Sequence, residues 1–414
     1  MASYNAIAKL LKFKELKIVG LDFKRDSVLL IRVKPYKNGC RCNICGRRSK
    51  IVRTRPVDRV WKDLPVGGWA ISVIYAPKEV WCRTHGRVDE QIPWADSYSR
   101  ITYRYEYSML RYCQIMTQKA AATLLRISTS TLSEQLHRSI KRIREGHRIR
   151  GLRSIGIDEV AYRKNHKYAT LVYDLDRSVV LWVGEGKGRE TIDEFFNTQL
   201  SDYQKKQITT GCCDMSEAYL GAITDHCPNA VLVIDRFHVV KKLNEAVDEV
   251  RKEQWRQAST SERKSLKGLR WLLYRHSSTR KKNQTQTLKA LEKGNNRIYR
   301  AWRLKDEFEQ FWEFNASWAA ERFLKNWTTT VMRSRLEPMK KFVNTVRKHK
   351  NKLVAFIDTG GLTNAIGEGL NRIIKIVKNR ASGFRSLEAF EDLIFLTVGD
   401  LDIPAQITPR FRTI

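Results

Sequence analysis

Three carboxylates in this chain have the types and placement that two-metal phosphoryl-transfer chemistry needs. Asp158 lies in "SIGIDEVAY" and Asp214 in "ITTGCCDMSE", each read as ending a short apolar strand, and Glu368 lies far downstream in "TNAIGEGLNRIIK". Two acids on neighbouring strands and one on a packed helix can hold a pair of Mg²⁺ ions, with Mn²⁺ as a substitute. A lone carboxylate in an apolar strand is costly unless it is paired or metal-bound. Either aspartate alone reads as a turn or helix-cap residue; two on one sheet favour a metal. Asp235, in "VLVIDRFHVVKK", is a rival third ligand, or a group that orients His238. Asn364, Glu368, Asn371 and Lys375 recur at i, i+4, i+7 and i+11, so one helix face carries polar groups inward or toward DNA. Ile366, Leu370, Ile373 and Ile374 supply its core stripe. Lys375 is placed to meet a phosphate, and Asn371 and Arg372 beside it are further DNA-binding candidates.

The elements that must position these acids follow from pattern. Residues 151–240 alternate strand and helix, with strands at "SIGIDEVAY", "YATLVYDLD", "VVLWVGEG", "QITTGCCD" and "AVLVIDRF" and helices at "TIDEFFNTQL" and "EAYLGAITDH". Three strands joined by short turns, then strand–helix–strand, predict a mixed sheet flanked by helices. Strand ends of such a sheet form its functional edge. Residues 241–356 read as an all-helical, basic insertion rich in tryptophan (Trp255, Trp271, Trp302, Trp312, Trp318, Trp327). Most of these belong in helix cores, with one or two left to stack on unpaired bases. The segment "STRKKNQTQT" reads as a flexible loop. Residues 357–414 resume the core, with a helix at 364–379 carrying Glu368.

Two modules precede this. Residues 1–97 are β-rich, with strands at "SVLLIRVKP" and "WAISVIYAP" and turns at Pro65, Gly67 and Gly68. Within them, Cys42-x₂-Cys45 and Cys82-x₂-His85 are two ligand pairs with the spacing of a structural zinc ribbon. Cys40 competes with Cys42, because "CRCNIC" offers two registers. Residues 98–150 switch to helical periodicity, and "QKAAATLLRISTSTLSEQLHRSIKR" reads as a helix-turn-helix. Ala120, Ala121 and Ala122 allow a close crossing, and Ser128 or Ser130 is the N-cap of the second helix. That helix offers Ser133, Glu134, Gln135, Arg138, Lys141 and Arg142 to DNA. The alternative is an ordinary αα-hairpin.

Charge chooses the partner. The 414 residues carry a formal net charge of +33, spread along the chain. Such a surplus repels cationic partners and attracts a polyanion, DNA or RNA first, because each neutralised phosphate releases counterions. No apolar run of about 20 residues exists to span a membrane, and the N-terminus lacks a signal-peptide core. The expected location is the cytoplasm, where the eight cysteines would not form a disulfide framework.

These residues together resemble the ISL-three family of bacterial insertion-sequence transposases, in the DDE superfamily. The resemblance runs through nearly the whole chain: the ribbon followed by "KDLPVGG" and "HGRVDEQIPWA", the helix-turn-helix, "GIDEVAYRKNHKYATLVYDLD", "CCDMSEAY", "VIDRFHVVKKLNEAVD" and "GEGLNRIIKIVKNRASGFRSLEAFEDLI". It implies an α/β multidomain protein whose RNase H-like core is interrupted by the helical insertion. It implies Asp158, Asp214 and Glu368 as the triad, with Asp235 and His238 supporting it. Many relatives close the zinc knuckle with a cysteine where this chain has His85. The expected activity is Mg²⁺-dependent cleavage at the element's terminal inverted repeats and strand transfer into a target, by a homodimer or larger assembly. A structure-specific nuclease on the same fold and a non-catalytic DNA-binding regulator are the rivals.

Overall fold

The structure is a computed structural model and describes residues 4, 7–8, 16–35, 40–97, 99–146, 148–163, 167–276, 279–294, 296–361, 365–381, 383–384, 386–401 and 403. The chain divides into two compact units, Met1–His147 with Ile376–Ile414, and Arg148–Lys375.

In the first unit, β1 (Leu16–Lys24), β2 (Val28–Pro35), β3 (Lys50–Thr54), β4 (Arg59–Val66), β5 (Trp69–Tyr75), β6 (Lys78–Cys82) and β7 (Gly86–Asp89) make two sheets. One has the order β1-β2-β5-β4 and the other β3-β6-β7. Alternation on β5 turns Ile71, Val73 and Tyr75 inward against Trp61 and Trp94. Gly67 and Gly68, at φ +54° and +83°, make the β4–β5 turn, a conformation that suits glycine. Three helices follow: α1 (Tyr103–Ile115), α2 (Gln118–Leu125) and α3 (Thr129–Glu145). Thr102, Thr117 and Ser128 cap them, each side chain accepting a backbone N–H of the first turn. Between α2 and α3, Arg126 takes a left-handed conformation that closes the turn. Ala121, Ala122 and Leu125 face Leu132, Leu136 and Ile140 in the buried set.

In the second unit, β8 (Ser154–Arg163), β9 (Lys167–Asp174), β10 (Val179–Glu185), β11 (Thr210–Cys213) and β12 (Val231–Ile234) form one sheet in the order β10-β9-β8-β11-β12. The first three strands are an antiparallel meander, and β11 runs parallel to both β8 and β12. Helices α4 (Arg189–Gln199), α5 (Asp202–Gln207) and α6 (Glu217–His226) lie among these strands in the chain. Ile155, Ile157, Val172 and Trp182 pack on Ile192, Phe195 and Phe196 of α4 and on Leu220 and Ile223 of α6. Each such side chain contributes about 1.5–3 kcal/mol when fully buried. Gly211 lets α6 sit close: a Cβ there would meet Ile223 at 2.8 Å.

The helices α7 (Arg236–Gln257), α8 (Thr260–Leu266), α9 (Leu269–Tyr274), α10 (Lys282–Gly294), α11 (Asn296–Phe308), α12 (Ser317–Arg333), α13 (Glu337–Lys348) and α14 (Lys350–Asp358) follow β12. Phe308 centres their aromatic core, with Trp327, Phe311 and Phe342 rings 4.7, 5.6 and 5.7 Å away. Trp302, Trp312 and Trp327 are buried, whereas Trp271 and Trp318 are 68 % and 71 % exposed. The "KNQTQT" part of the expected loop instead begins α10, where its residues complete a helical turn. Then come α15 (Ala365–Arg380), which carries Glu368, and α16 (Leu387–Val398). Asn364 lies outside the described residues. In the first unit α16 packs on the helix-turn-helix, where His137 meets Asp392 at 2.9 Å and the Arg144 guanidinium stacks 3.7 Å from the Phe395 ring. Among the described residues no helix is long and apolar enough to cross a membrane.

Candidate active site and metal centre

Strand register brings the aspartates into a row. Cys212 of β11 pairs with Gly156 of β8, and Cys213 pairs with Ile234 of β12. Continuing those registers sets Asp214 level with Asp158 on one side and with Asp235 on the other. The period of two turns Asp158 to the face of Gly156. Asp158 does not end its strand, as expected from sequence: β8 runs on to Arg163, paired with β9, after β11 has stopped. The sheet edge that exposes Asp158 is therefore made by the shortness of β11.

Local bonds fix each acid. Asp158 Oδ1 accepts from the Glu159 N–H at 2.7 Å, and its Oδ2 accepts from Asn371 Nδ2 at 2.6 Å. Asp214 Oδ1 accepts from the Ser216 N–H at 2.8 Å, in the turn that starts α6. Asp235 is 1 % exposed and caps α7, its Oδ1 accepting from the Phe237 N–H at 3.2 Å. His238, one turn into α7, holds its Nε2 4.0 Å from Asp158 Oδ1 and 3.8 Å from Asp235 Oδ2. Burial pushes the Asp158 carboxyl above the usual range and the Asp214 charge adds to this; the Glu159 N–H, His238 and Asn371 oppose it. Glu368 is also pushed up, first by burial and then by the Asp235 charge, against the pull of His238 and Lys375. Glu368 thus shares one electrostatic environment with Asp158 and Asp235. Crowded acids whose charges are disfavoured by burial and by one another suit a divalent cation, which reverses both penalties.

The cysteine–histidine group is tighter. Among the described residues it is where three or more ligand atoms lie within 4.8 Å of one another: Cys42, Cys45, Cys82 and His85. Cys42 Sγ and Cys82 Sγ are each 3.7 Å from His85 Nδ1, and Cys45 Sγ is 3.7 Å from Cys82 Sγ. Sulfurs at about 2.3 Å from a tetrahedral ion stand about 3.8 Å apart, so the residues fit such an ion. Both knuckles close the same way, on Gly46 and Gly86, each at φ +67°. The N–H groups of Thr84 and His85 hold the Cys82 thiol down, to about 5. Cys40 stands outside the group, and burial beside Glu90 pushes its thiol up to about 12. Of the two registers in "CRCNIC", the cluster uses Cys42.

Residues 155–394 match the DDE-type family model described as "Transposase", and residues 90–140 match the "Helix-turn-helix domain of transposase family ISL3". The chain belongs to the ISL-three (ISL3) family of transposases. It is 30 % identical over 369 residues to the transposase for insertion sequence element IS1001 of Bordetella parapertussis, covering 87 % of this chain and 89 % of the relative. It is 27 % identical over 418 residues to the transposase for IS1557 of Mycobacterium tuberculosis, covering 93 % of each. The Drosophila P element transposase strand transfer complex aligns at a TM-score of 0.37 and 10 % identity, over 72 % of this chain and 92 % of that one. A score that low carries no weight for fold or function.

The transposase distributes its expected DNA-binding side chains unevenly. On α3, Arg138 and Lys141 are exposed, and Arg138 lies 3.0 Å from Glu134. Ser133 and Gln135 are half-buried. Arg142 is held by Glu106 at 2.7 Å and by Asp96. On α15, Arg372 and Lys375 are exposed, but Asn371 is 8 % exposed and turned into the protein. Its Oδ1 accepts from the Tyr173 hydroxyl at 2.7 Å while its Nδ2 serves Asp158. The expectation that Asn371 reaches DNA therefore does not hold for a side chain already bonded at both ends. Ile373 is 40 % exposed, and the buried stripe is Leu370, Ile374 and Val377. The signal for Asn371 was present: an amide just under one turn past Glu368 that shares a face with an acid.

Proposed function

We propose that this transposase cleaves DNA at the terminal inverted repeats of its own element and joins the freed 3′-hydroxyl to a target, using Asp158, Asp214 and Glu368 on an RNase H-like core. The observation that carries this is the row of aspartates on β8 and just past the ends of β11 and β12, with Glu368 in the same field. A meander of three antiparallel strands extended by two parallel ones, with an acid-bearing helix bonded to the first strand, supports the RNase H-like reading. Asp158, Asp214 and Glu368 would hold two Mg²⁺ ions, or Mn²⁺ in their place. Such ions supply the charge that lets water or a 3′-hydroxyl attack a phosphodiester at neutral pH and that offsets the leaving oxygen. The acids do not gather within one ion's shell as the cysteine group does.

Asp235 and His238 support this site: the imidazole sits between two acids, 4.0 Å from Asp158 and 3.8 Å from Asp235. Arg372 and Lys375 present charge to the phosphates beside it. Zn²⁺ on Cys42, Cys45, Cys82 and His85 would fold the ribbon of residues 1–97 and take no part in chemistry. The helix-turn-helix of residues 98–150 would read the repeats through Ser133, Gln135, Arg138 and Lys141, with Arg142 braced for a phosphate. Residues 151–240 and the Glu368-bearing part of 357–414, up to Lys375, would form the core and 241–356 the insertion; Ile376–Ile414 group with the first unit. The charge of +33 would hold both DNA partners, in the cytoplasm at the nucleoid. Two ends must be joined, so a dimer or larger assembly is expected.

The test is strand transfer with purified protein, Mg²⁺, a labelled duplex carrying the element's end and a target plasmid. Wild type runs beside Asp158→Ala, Asp214→Ala, Asp235→Ala and Glu368→Ala. Joined product from wild type, and from Asp235→Ala at a reduced level, supports the triad. Cleavage without joining would move the reading to a nuclease, and binding without chemistry to a regulator.

A further inference from the structure

We propose that Asn371 is a positioning residue for Asp158 and that Tyr173 locks it in place, a role that rests on the reading of Asp158 and Glu368 as cation ligands. Asn371 stands just short of one helical turn beyond Glu368 on α15. Its side chain bridges two strands: Nδ2 donates to Asp158 Oδ2 on β8 at 2.6 Å, and Oδ1 accepts from the Tyr173 hydroxyl on β9 at 2.7 Å. Register places both partners on one sheet face, since Asp158 pairs with Leu171 and Gly156 pairs with Tyr173. Tyr173 is fully buried and Asn371 nearly so, so neither group has bulk water as an alternative partner.

The chemistry sets one arrangement. An ionised carboxylate can only accept, so the amide must turn its NH₂ to Asp158 and its oxygen to Tyr173, whose hydroxyl must then donate. With the Glu159 N–H on Oδ1 and the Asn371 amide on Oδ2, each Asp158 oxygen has one hydrogen bond that fixes the carboxylate plane. The remaining lone pairs are left in a fixed direction for a cation. Because the same helix turn carries Glu368, the bridge also sets the distance between the first and third acids. A lysine or arginine at 371 could not do this, and an aspartate would add a fourth charge against Asp158.

The experiment is direct Mn²⁺ binding, read by electron paramagnetic resonance, to full-length protein on a pre-cut end duplex terminated in a dideoxynucleotide, which cannot be joined. Asn371→Leu keeps the volume and removes both bonds. Its Mn²⁺ affinity is expected to fall about tenfold, the low end for loss of a partner that orients a metal ligand. End binding should stay near wild type, melting should fall because the Tyr173 hydroxyl and Asp158 Oδ2 lose a buried partner, and excess Mg²⁺ should restore most of the cleavage rate in a separate assay on uncut ends. Tyr173→Phe is expected to lose a few-fold of affinity and to add nothing in the Asn371→Leu background. Mn²⁺ affinity within twofold of wild type in Asn371→Leu overturns the proposal. If that variant does not fold, Tyr173→Phe decides alone, and unchanged affinity there overturns it. Asp158→Ala runs alongside: undiminished Mn²⁺ binding in that variant would instead overturn the reading on which the proposal rests.

Discussion

Asp158→Asn should make the metal-free protein more stable and the metal-loaded protein less so. The side chain of Asp158 is 14 % exposed, and burial raises its carboxyl, so the ionised form is disfavoured when no cation is present. An amide keeps the hydrogen bonds. Its oxygen can accept from the Glu159 N–H, and its NH₂ can donate to Asn371 if that amide flips, because the Tyr173 hydroxyl can then accept instead of donating. What remains is the loss of a buried charge beside Asp214, worth about 1–2 kcal/mol, the low end for neutralising buried charge. The sign with pH follows from the raised carboxyl. Its favourable contribution is complete below the unfolded value, about pH 4, and is lost as pH climbs through the folded value. Wild type should therefore lose metal-free stability relative to the variant as pH rises toward 7, and the two should converge near pH 4. Glu368 titrates in both proteins and largely cancels from the difference. Mg²⁺ at about a hundred times its dissociation constant contributes about 2.7 kcal/mol to a protein that binds it only when folded. For a body of this size that is a rise of roughly 5–10 °C in melting temperature, expected in wild type and absent in the variant. Scanning calorimetry at pH 7 and pH 5, with and without Mg²⁺, reads all four values. A variant less stable than wild type without metal, or one that keeps the Mg²⁺ rise, refutes the reasoning.

Three further outcomes are expected. Elemental analysis should find one zinc per chain, lost in Cys82→Ser and kept in Cys40→Ser; equal loss in both would mean that the ribbon uses the other register. Gly211→Ala should cost about 1–3 kcal/mol by overpacking, because its Cβ would sit 2.8 Å from Ile223. In an Ile223→Ala background, which removes the Cγ2 that this Cβ would meet, Gly211→Ala should cost less in a denaturant titration, and additive losses would count against the contact. Lys141→Ala should reduce the salt dependence of end binding by about one phosphate contact. Arg142→Ala, whose guanidinium already braces Glu106, should lower melting temperature more than it changes that slope.

The sequence carried the parts that depend on short-range pattern. The five strands of the second unit, the knuckle spacing and the helix-turn-helix were legible because alternation, C-x₂-C pairs and capping residues act within a few positions. Long-range register was not. Nothing local says that Asp214 and Asp235 stand level, since that follows from Cys213 pairing with Ile234 across the sheet. Nor could sequence show that β8 outruns β11, which places Asp158 mid-strand rather than at an end. Asn371 was offered to DNA because spacing puts it on a polar face that could turn inward or toward DNA, and spacing alone does not choose between the two. Its true partners, Tyr173 and Asp158, lie about two hundred positions upstream, at sequence separations of 198 and 213. The exposed Ile373 is the counterpart of that error, an apolar residue assigned to the core stripe.

The same register explains how the site tolerates the long helical segment between β12 and α15. Loop-closure entropy grows only logarithmically, about 0.6 kcal/mol for each doubling of length. A segment that builds its own aromatic core around Phe308 offsets its own ordering. Distance along the chain is therefore a weak obstacle to bringing Glu368 back. Angle is a strong one, because a helix that returns after so long an excursion can dock in several rotations about its axis. A hydrophobic stripe of Leu370, Ile374 and Val377 restrains that rotation only loosely, since apolar contact is not directional. The bond from Asn371 to Asp158 is directional, and a quarter-turn slip would leave a buried hydroxyl without its partner and the Asp158 carboxylate with the Glu159 N–H on one oxygen alone. On this argument the position after Glu368 that must be an amide is dictated by the helix's return, and the insertion can vary in length and sequence as long as that bond is remade.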